Sequence, residues 1–132
     1  MNVIMQDIEQ RIRRADGSIK DINGNTISPG TTYSNYISFT YTDAATDGSK
    51  KPTLYCQYEL DNAGTNNAIF KRGIGTSPNP TLSVFPTGLE AGAIQRFYAT
   101  LSISAPYTIT IDLTSSTGVR LQKSIYLTNY SQ

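Results

Sequence analysis

Chemistry in this sequence has few sources: ten carboxylates, one thiol and nine phenols, with no histidine anywhere. Without an imidazole, Ser-His-Asp, Cys-His and His-Glu zinc arrangements are ruled out, and a single cysteine rules out thiolate zinc and iron–sulfur sites. Cys56 reads as a small buried apolar residue, because no histidine stands by to activate its thiol. Paired carboxylates facing each other across a cleft, as in a glycosidase, are the hydrolytic chemistry that remains. Glu59 and Asp61 share the polar face of one strand and could pair. The other acids (Asp7, Glu9, Asp16, Asp21, Asp43, Asp47, Glu90 and Asp112) mostly fall at turns or on outward-facing positions, where solvation accounts for them.

Two short motifs ask for a check. Asp21, Asn23 and Asn25 occupy alternate positions, as the first oxygen ligands of an EF-hand loop do, but the glycine falls at Gly24 and position twelve is Thr32. A turn rich in Asn and Gly explains the same letters. Gly73-Ile74-Gly75 is a lone GxG without the third glycine or the P-loop lysine, and reads as a pair of loop glycines rather than a phosphate cradle. No metal and no cofactor is expected on these grounds.

The tyrosines are more suggestive. Tyr33, Tyr36, Tyr55, Tyr98, Tyr126 and Tyr130 fall outside the inward-facing sets of the strands on which they are expected. Exposed tyrosine gives contact area at low entropic cost, which suits an interface with protein or carbohydrate. Pairing across strands on the solvent face explains them equally well.

The elements that would position these residues are mostly strands. Ile37, Phe39 and Tyr41 alternate with Ser38, Thr40 and Thr42, and Leu54, Cys56, Tyr58 and Leu60 alternate with Tyr55, Gln57 and Glu59. Phe97, Ala99, Leu101 and Ile103 repeat the pattern, as do Tyr107, Ile109, Ile111 and Leu113. Val119 with Leu121, and Ile125 with Leu127, close the chain, and shorter candidates lie at 68–71 and 81–85. Turn signals separate them, among them Asp47-Gly48, Asn62-Ala63-Gly64, Ser77-Pro78-Asn79-Pro80 and Thr117-Gly118. About seven short strands with turns at close intervals predict an all-β antiparallel sandwich, one face of each sheet in and one out.

Residues 2–15 are the one helical candidate. Ile4, Ile8 and Ile12 recur every fourth residue, Asp7 and Glu9 come early, Arg11, Arg13 and Arg14 come late, and Gly17 stands where a cap would fall. The same isoleucines would also share one face of a strand, in a hairpin turning at Asp16-Gly17. Residues 1–18 are therefore expected as a short N-terminal helix or arm, and 19–132 as the sandwich domain. If the arm docks on a neighbouring subunit, Ile4, Ile8 and Ile12 should be exposed in an isolated monomer, with Arg11 and Arg14 beside them to meet an acidic partner.

Composition sets the outer bounds. At 132 residues, one domain with a real core is expected. Hydrophobic residues make up 38% and charged residues 16%, with net charge +1, so the surface is polar but nearly neutral. Such a balance gives no long-range field for nucleic acid, and no apolar run is long enough to span a bilayer. The apolar start, Met1 to Met5, is broken by Gln6 and Asp7, unlike a secretory leader.

The stretch Ile19-Lys20-Asp21-Ile22-Asn23-Gly24-Asn25-Thr26-Ile27, followed by Pro29-Gly30-Thr31-Thr32, then a core strand at Tyr36–Thr42 and Tyr55-Cys56-Gln57-Tyr58-Glu59-Leu60-Asp61, resembles bacterial and phage immunoglobulin-like domains over residues 19–127. The resemblance implies an immunoglobulin-like sandwich used for display, spacing or adhesion. A second cysteine, a core tryptophan and the closing Asp-x-x-Gly-Asn corner are absent.

Three roles follow. The first is a non-enzymatic structural protein of an assembled particle, such as a capsid decoration or tail protein of a phage virion made in the host cytoplasm. It would touch neighbouring copies or a capsid or tail scaffold through Ile4, Ile8, Ile12, Arg11, Arg14, Tyr33, Tyr36, Tyr55 and Tyr98. The second is a carbohydrate-binding or adhesive module at a bacterial cell surface. The third is a histidine-free enzyme with paired acids. Neither nucleic acid nor membrane is an expected partner.

Overall fold

The alternation of apolar and polar residues produces two four-stranded antiparallel sheets. A computed structural model describes residues 1–42 and 51–130. In chain order it contains α1 (Asn2–Ile12), β1 (Thr32–Ser34), β2 (Tyr36–Thr42), β3 (Thr53–Asp61), β4 (Ile69–Gly75), β5 (Ser83–Val84), β6 (Ile94–Leu101), β7 (Thr108–Ser115) and β8 (Arg120–Tyr126). One sheet runs β1-β6-β7-β8 and the other β2-β3-β4-β5. The turn expected at Asp47-Gly48, with Asp43, lies outside the described residues.

β1 and β2 are one extended run bent at Asn35, which takes φ 69°, a left-handed conformation that asparagine tolerates better than most residues. Its N–H donates to the Phe97 carbonyl (2.7 Å) and its carbonyl accepts from Leu60 N–H (2.9 Å), so a single residue hydrogen-bonds to both sheets. Sequence reading placed no strand at β1, whose three residues alternate too briefly to register. It also split β8 in two and carried two strands too far. Ile103, beyond the end of β6, is 82% exposed, and Val119, in the β7–β8 turn, is 57% exposed.

The N-terminal segment is helical, and Met5 decides it. Ile4, Met5, Ile8 and Ile12 are all buried, a set that fits a period of 3.6 but not alternation, which would send Met5 to the opposite face. The helix ends at Arg13 in right-handed conformation, so Gly17 is not its cap. Beyond it no hairpin forms at Asp16-Gly17. The chain instead runs beside β2: Ala15 bridges Tyr41, Asp16 N–H donates to the Thr40 carbonyl, and Lys20 exchanges hydrogen bonds with Ser38. This covers what would otherwise be an open sheet edge.

One correction follows for the expected arm. Ile4, Ile8 and Ile12 are each 0% exposed within the isolated chain. They belong to the same apolar cluster as Ile37, Phe70 and Phe97 and have no surface left for a neighbour. Burying each contributes roughly 1.5–3 kcal/mol, which outweighs anything gained by holding them out for docking. Across the core, rings link the two sheets: Tyr58 lies 6.1 Å from Phe70, and Phe70 meets Phe97 edge-on at 5.4 Å. No helix among the described residues is long and apolar enough to cross a membrane.

Candidate binding groove

Three places gather polar side chains, and each starts from strand parity. On the inward face of the β3 sheet, Tyr41, Tyr58 and Arg72 meet α1. The Tyr58 hydroxyl donates to Asp7 Oδ2 (2.7 Å) and Arg72 to Asp7 Oδ1 (2.8 Å), while Arg11 pairs with Asp7 one turn along the helix. Arg11 Nε also donates to the Tyr41 hydroxyl (3.1 Å), and the Arg72 guanidinium stacks 4.0 Å from the Phe85 ring centroid. Burial pulls against the charge on Arg11, but Asp7 and the Tyr41 hydrogen bond more than offset it and raise its pKa. The Tyr58 phenol is pushed up by burial first, then by Cys56 and Asp7. Burial likewise pushes the Cys56 thiol up to about 12, leaving it protonated and inert at neutral pH. Asp7, Arg11, Tyr41, Tyr58 and Arg72 together tie α1 to the sheet.

The outward face of the β6 sheet is a ladder of hydroxyls closed by an ion pair. Thr32 and Thr100 hydroxyls lie 2.8 Å apart, as do those of Thr110 and Ser124. Arg120 on β8 grips Asp112 on β7 through Nε (2.9 Å) and a second nitrogen (2.5 Å). Tyr98 stands beside them, its hydroxyl 3.3 Å from an Arg96 nitrogen. A depression of about 440 Å³ is lined by Thr32, Tyr98, Thr100, Thr110, Asp112 and Arg120 among others.

The outward face of the β3 sheet carries a larger groove, of about 650 Å³. Tyr36, Ser38 and Thr40 on β2 and Tyr55 and Gln57 on β3 form its floor. One wall is the 17–24 segment that runs beside β2, including Lys20 and Asp21; the other is the loop holding Pro78 and Asn79. That loop folds back hard on β4. A Cβ on Gly73 would sit 2.9 Å from the Pro80 carbonyl oxygen, so only glycine permits the approach. Gly73 and Gly75 therefore lie within β4, not in a loop as the sequence suggested, and serve the wall rather than a phosphate. On the other wall, Asp21 Oδ1 accepts the backbone N–H groups of Asn23 (2.9 Å) and Asn25 (3.0 Å), which commits that carboxylate to the turn.

Of the tyrosines singled out from sequence, the groove brings together Tyr36 and Tyr55. Tyr33 lies elsewhere, its hydroxyl accepting Ser28 N–H at 2.8 Å, and Tyr98 is on the other sheet. Arg11 is spent on Asp7 and Tyr41, and Arg14 N–H closes the helix end on the Arg11 carbonyl. Glu59 and Asp61 lie on the same face and interact, and Asp61 also takes Lys71 as a partner at 2.7 Å. Glu59 is held above the usual carboxylate range, by burial first and Asp61 second, with Lys71 opposing. Gln57, Ser38, Thr40 and Asn79 were not picked out from sequence as groove residues. The signal was there in part, since Ser38, Thr40 and Gln57 are the outward partners of buried strand residues. Comparison with protein families, curated proteins and solved structures finds no match.

Proposed function

We propose that this chain is a non-enzymatic structural component of an assembled particle, of the kind that decorates a phage capsid or builds a phage tail, and that it works through contacts with neighbouring protein subunits. The observation that carries this reading is the placement of exposed apolar side chains. Ile103 and Val119 are 82% and 57% exposed and each stands in a turn or connection, while Ile22, 65% exposed, stands on the 17–24 wall of the groove. Single exposed apolar residues are ordinary, but loop tips are where a scaffold fold presents its contacts. Asp7, Asp61, Asp112 and Glu9 are meanwhile committed to ion pairs with Arg11 and Arg72, Lys71, Arg120 and Lys123. The immunoglobulin-like resemblance enters at the level of architecture, two packed antiparallel sheets. The strand order, β1-β6-β7-β8 and β2-β3-β4-β5, keeps consecutive strands together more than the ABED and CFG arrangement does.

Light scattering across a concentration series tests the reading. Concentration-dependent assembly, weakened by Ile103→Asp, is the expected result. A wild-type chain that stays monomeric to its solubility limit, with no difference in the variant, would contradict it.

A further inference from the structure

We infer that the groove over the β3 sheet is a binding site for a neutral, linear oligosaccharide. The inference goes beyond the particle reading and does not depend on it, since a particle component can carry such a site or lack one.

The lining selects the ligand class. The floor offers the Ser38 hydroxyl, the Gln57 amide and the rings of Tyr36 and Tyr55, and Asn79 offers a second amide from the wall, while the Thr40 hydroxyl is already donated to Asp16 Oδ1 (2.8 Å). A planar amide presents donors and an acceptor side by side, which suits vicinal hydroxyls. The Gln57 and Asn79 amides are 3.5 Å apart, at the long limit of a hydrogen bond, so little is lost when either turns to a ligand. Lys20 and Asp21 are the charged side chains in the lining, adjacent and opposite in sign, and Asp21 is already engaged by its own turn. Asp16 adds a negative charge beside the floor, where it accepts from the Thr40 and Thr42 hydroxyls, so the surroundings do not favour an anionic ligand. An extended peptide fits less well, because β2 and β3 have each other and their flanking segments as partners and leave no free backbone edge along the floor.

Length points the same way. Tyr36 faces Glu59 across the β2–β3 ladder, and Tyr55 faces Thr40. The two residues are therefore separated by four positions along the strands, about 13 Å at roughly 3.3 Å per residue, with Ser38 and Gln57 paired midway. An aromatic ring near each end and amide and hydroxyl groups between them match a short run of sugar rings, whose apolar faces stack and whose edges hydrogen-bond.

The test is an NMR titration of the full chain with neutral linear oligosaccharides of glucan, mannan, xylan and N-acetylglucosamine type, with a sulfated heparin fragment as the charged counterpart. At least one neutral series should give saturable shifts centred on Tyr36, Ser38, Tyr55, Gln57 and Asn79. Gln57→Ala and Tyr55→Ala should each weaken that binding by about tenfold. Both side chains face outward, and Asn79→Ala, in a connection, serves should a strand variant fail to fold. No response to any neutral series at millimolar concentration, a groove that prefers heparin, or binding unchanged in all the folded variants would overturn the inference. Assembly is read separately by light scattering, so either idea can fail alone.

Discussion

Asp7 and Asp112 are covered to the same degree, with 12% of each side chain exposed, yet they differ in what covers them. Asp7 on α1 is held by three donors from three elements: Arg11 on its own helix, Tyr58 on β3 and Arg72 on β4. Tyr58 is fully buried and the two arginine side chains are only 24% and 28% exposed. Among the described residues Asp112 has one ion-pair partner, Arg120 on the neighbouring strand, whose side chain is 61% exposed. Equal burial of a carboxylate therefore conceals unequal consequences. Around Asp7 the partners are held largely inside the fold, whereas Arg120 can return to water. The first aspartate joins a helix to a sheet, and the second dresses a face already held by its ladder.

The largest separation between them should come from Asp7→Ala. It leaves a buried hydroxyl and two partly buried cations without their shared acceptor, and should cost about 3 kcal/mol of stability in urea unfolding. Asp112→Ala should cost several-fold less, because an exposed pair is worth little once solvent can replace it. Equal losses for the two substitutions would mean that partner burial does not set the cost.

The smallest effect belongs to Glu59, on the outer face of the β3 sheet. Its pKa is raised, so its contribution favours the fold below the usual carboxylate range and is lost as pH rises through the raised value. Glu59→Gln should accordingly leave the protein slightly more stable than wild type at pH 7. The gain should vanish at pH 4, as thermal melts across that range will show. A variant less stable at neutral pH would reverse the sign assigned to Glu59.

Much of the fold was legible because strand alternation is local. Ile37, Phe39 and Tyr41 on β2, and Ile109, Ile111 and Leu113 on β7, are buried as their spacing demands. The helix was legible only if Met5 was counted with the isoleucines. Its destination was not, since a fourfold apolar repeat says that a face will be covered but not by which chain. Asp7 and Arg11 looked like dipole complements, and the reach of Tyr58 and Arg72 toward them depends on how α1 crosses the inward face of the sheet. The groove was half legible: parity sent Tyr36, Tyr55 and Gln57 outward, but the walls at 17–24 and Pro78–Asn79 depend on where distant turns come to rest. Gly73 was visible as a glycine and misread as a loop, because its reason is a carbonyl of the Pro80 segment pressed against it.

That α1 is part of this domain's own core, which leaves the outer faces and loop tips for the proposed contacts, is tested most directly by native-state hydrogen exchange. The amides of Ile8 to Ile12 should exchange only with global unfolding, as slowly as those at the centres of β3 and β6. Exchange of those helix amides at rates typical of a frayed terminus, while the strands stay protected, would show α1 to be a detachable arm after all.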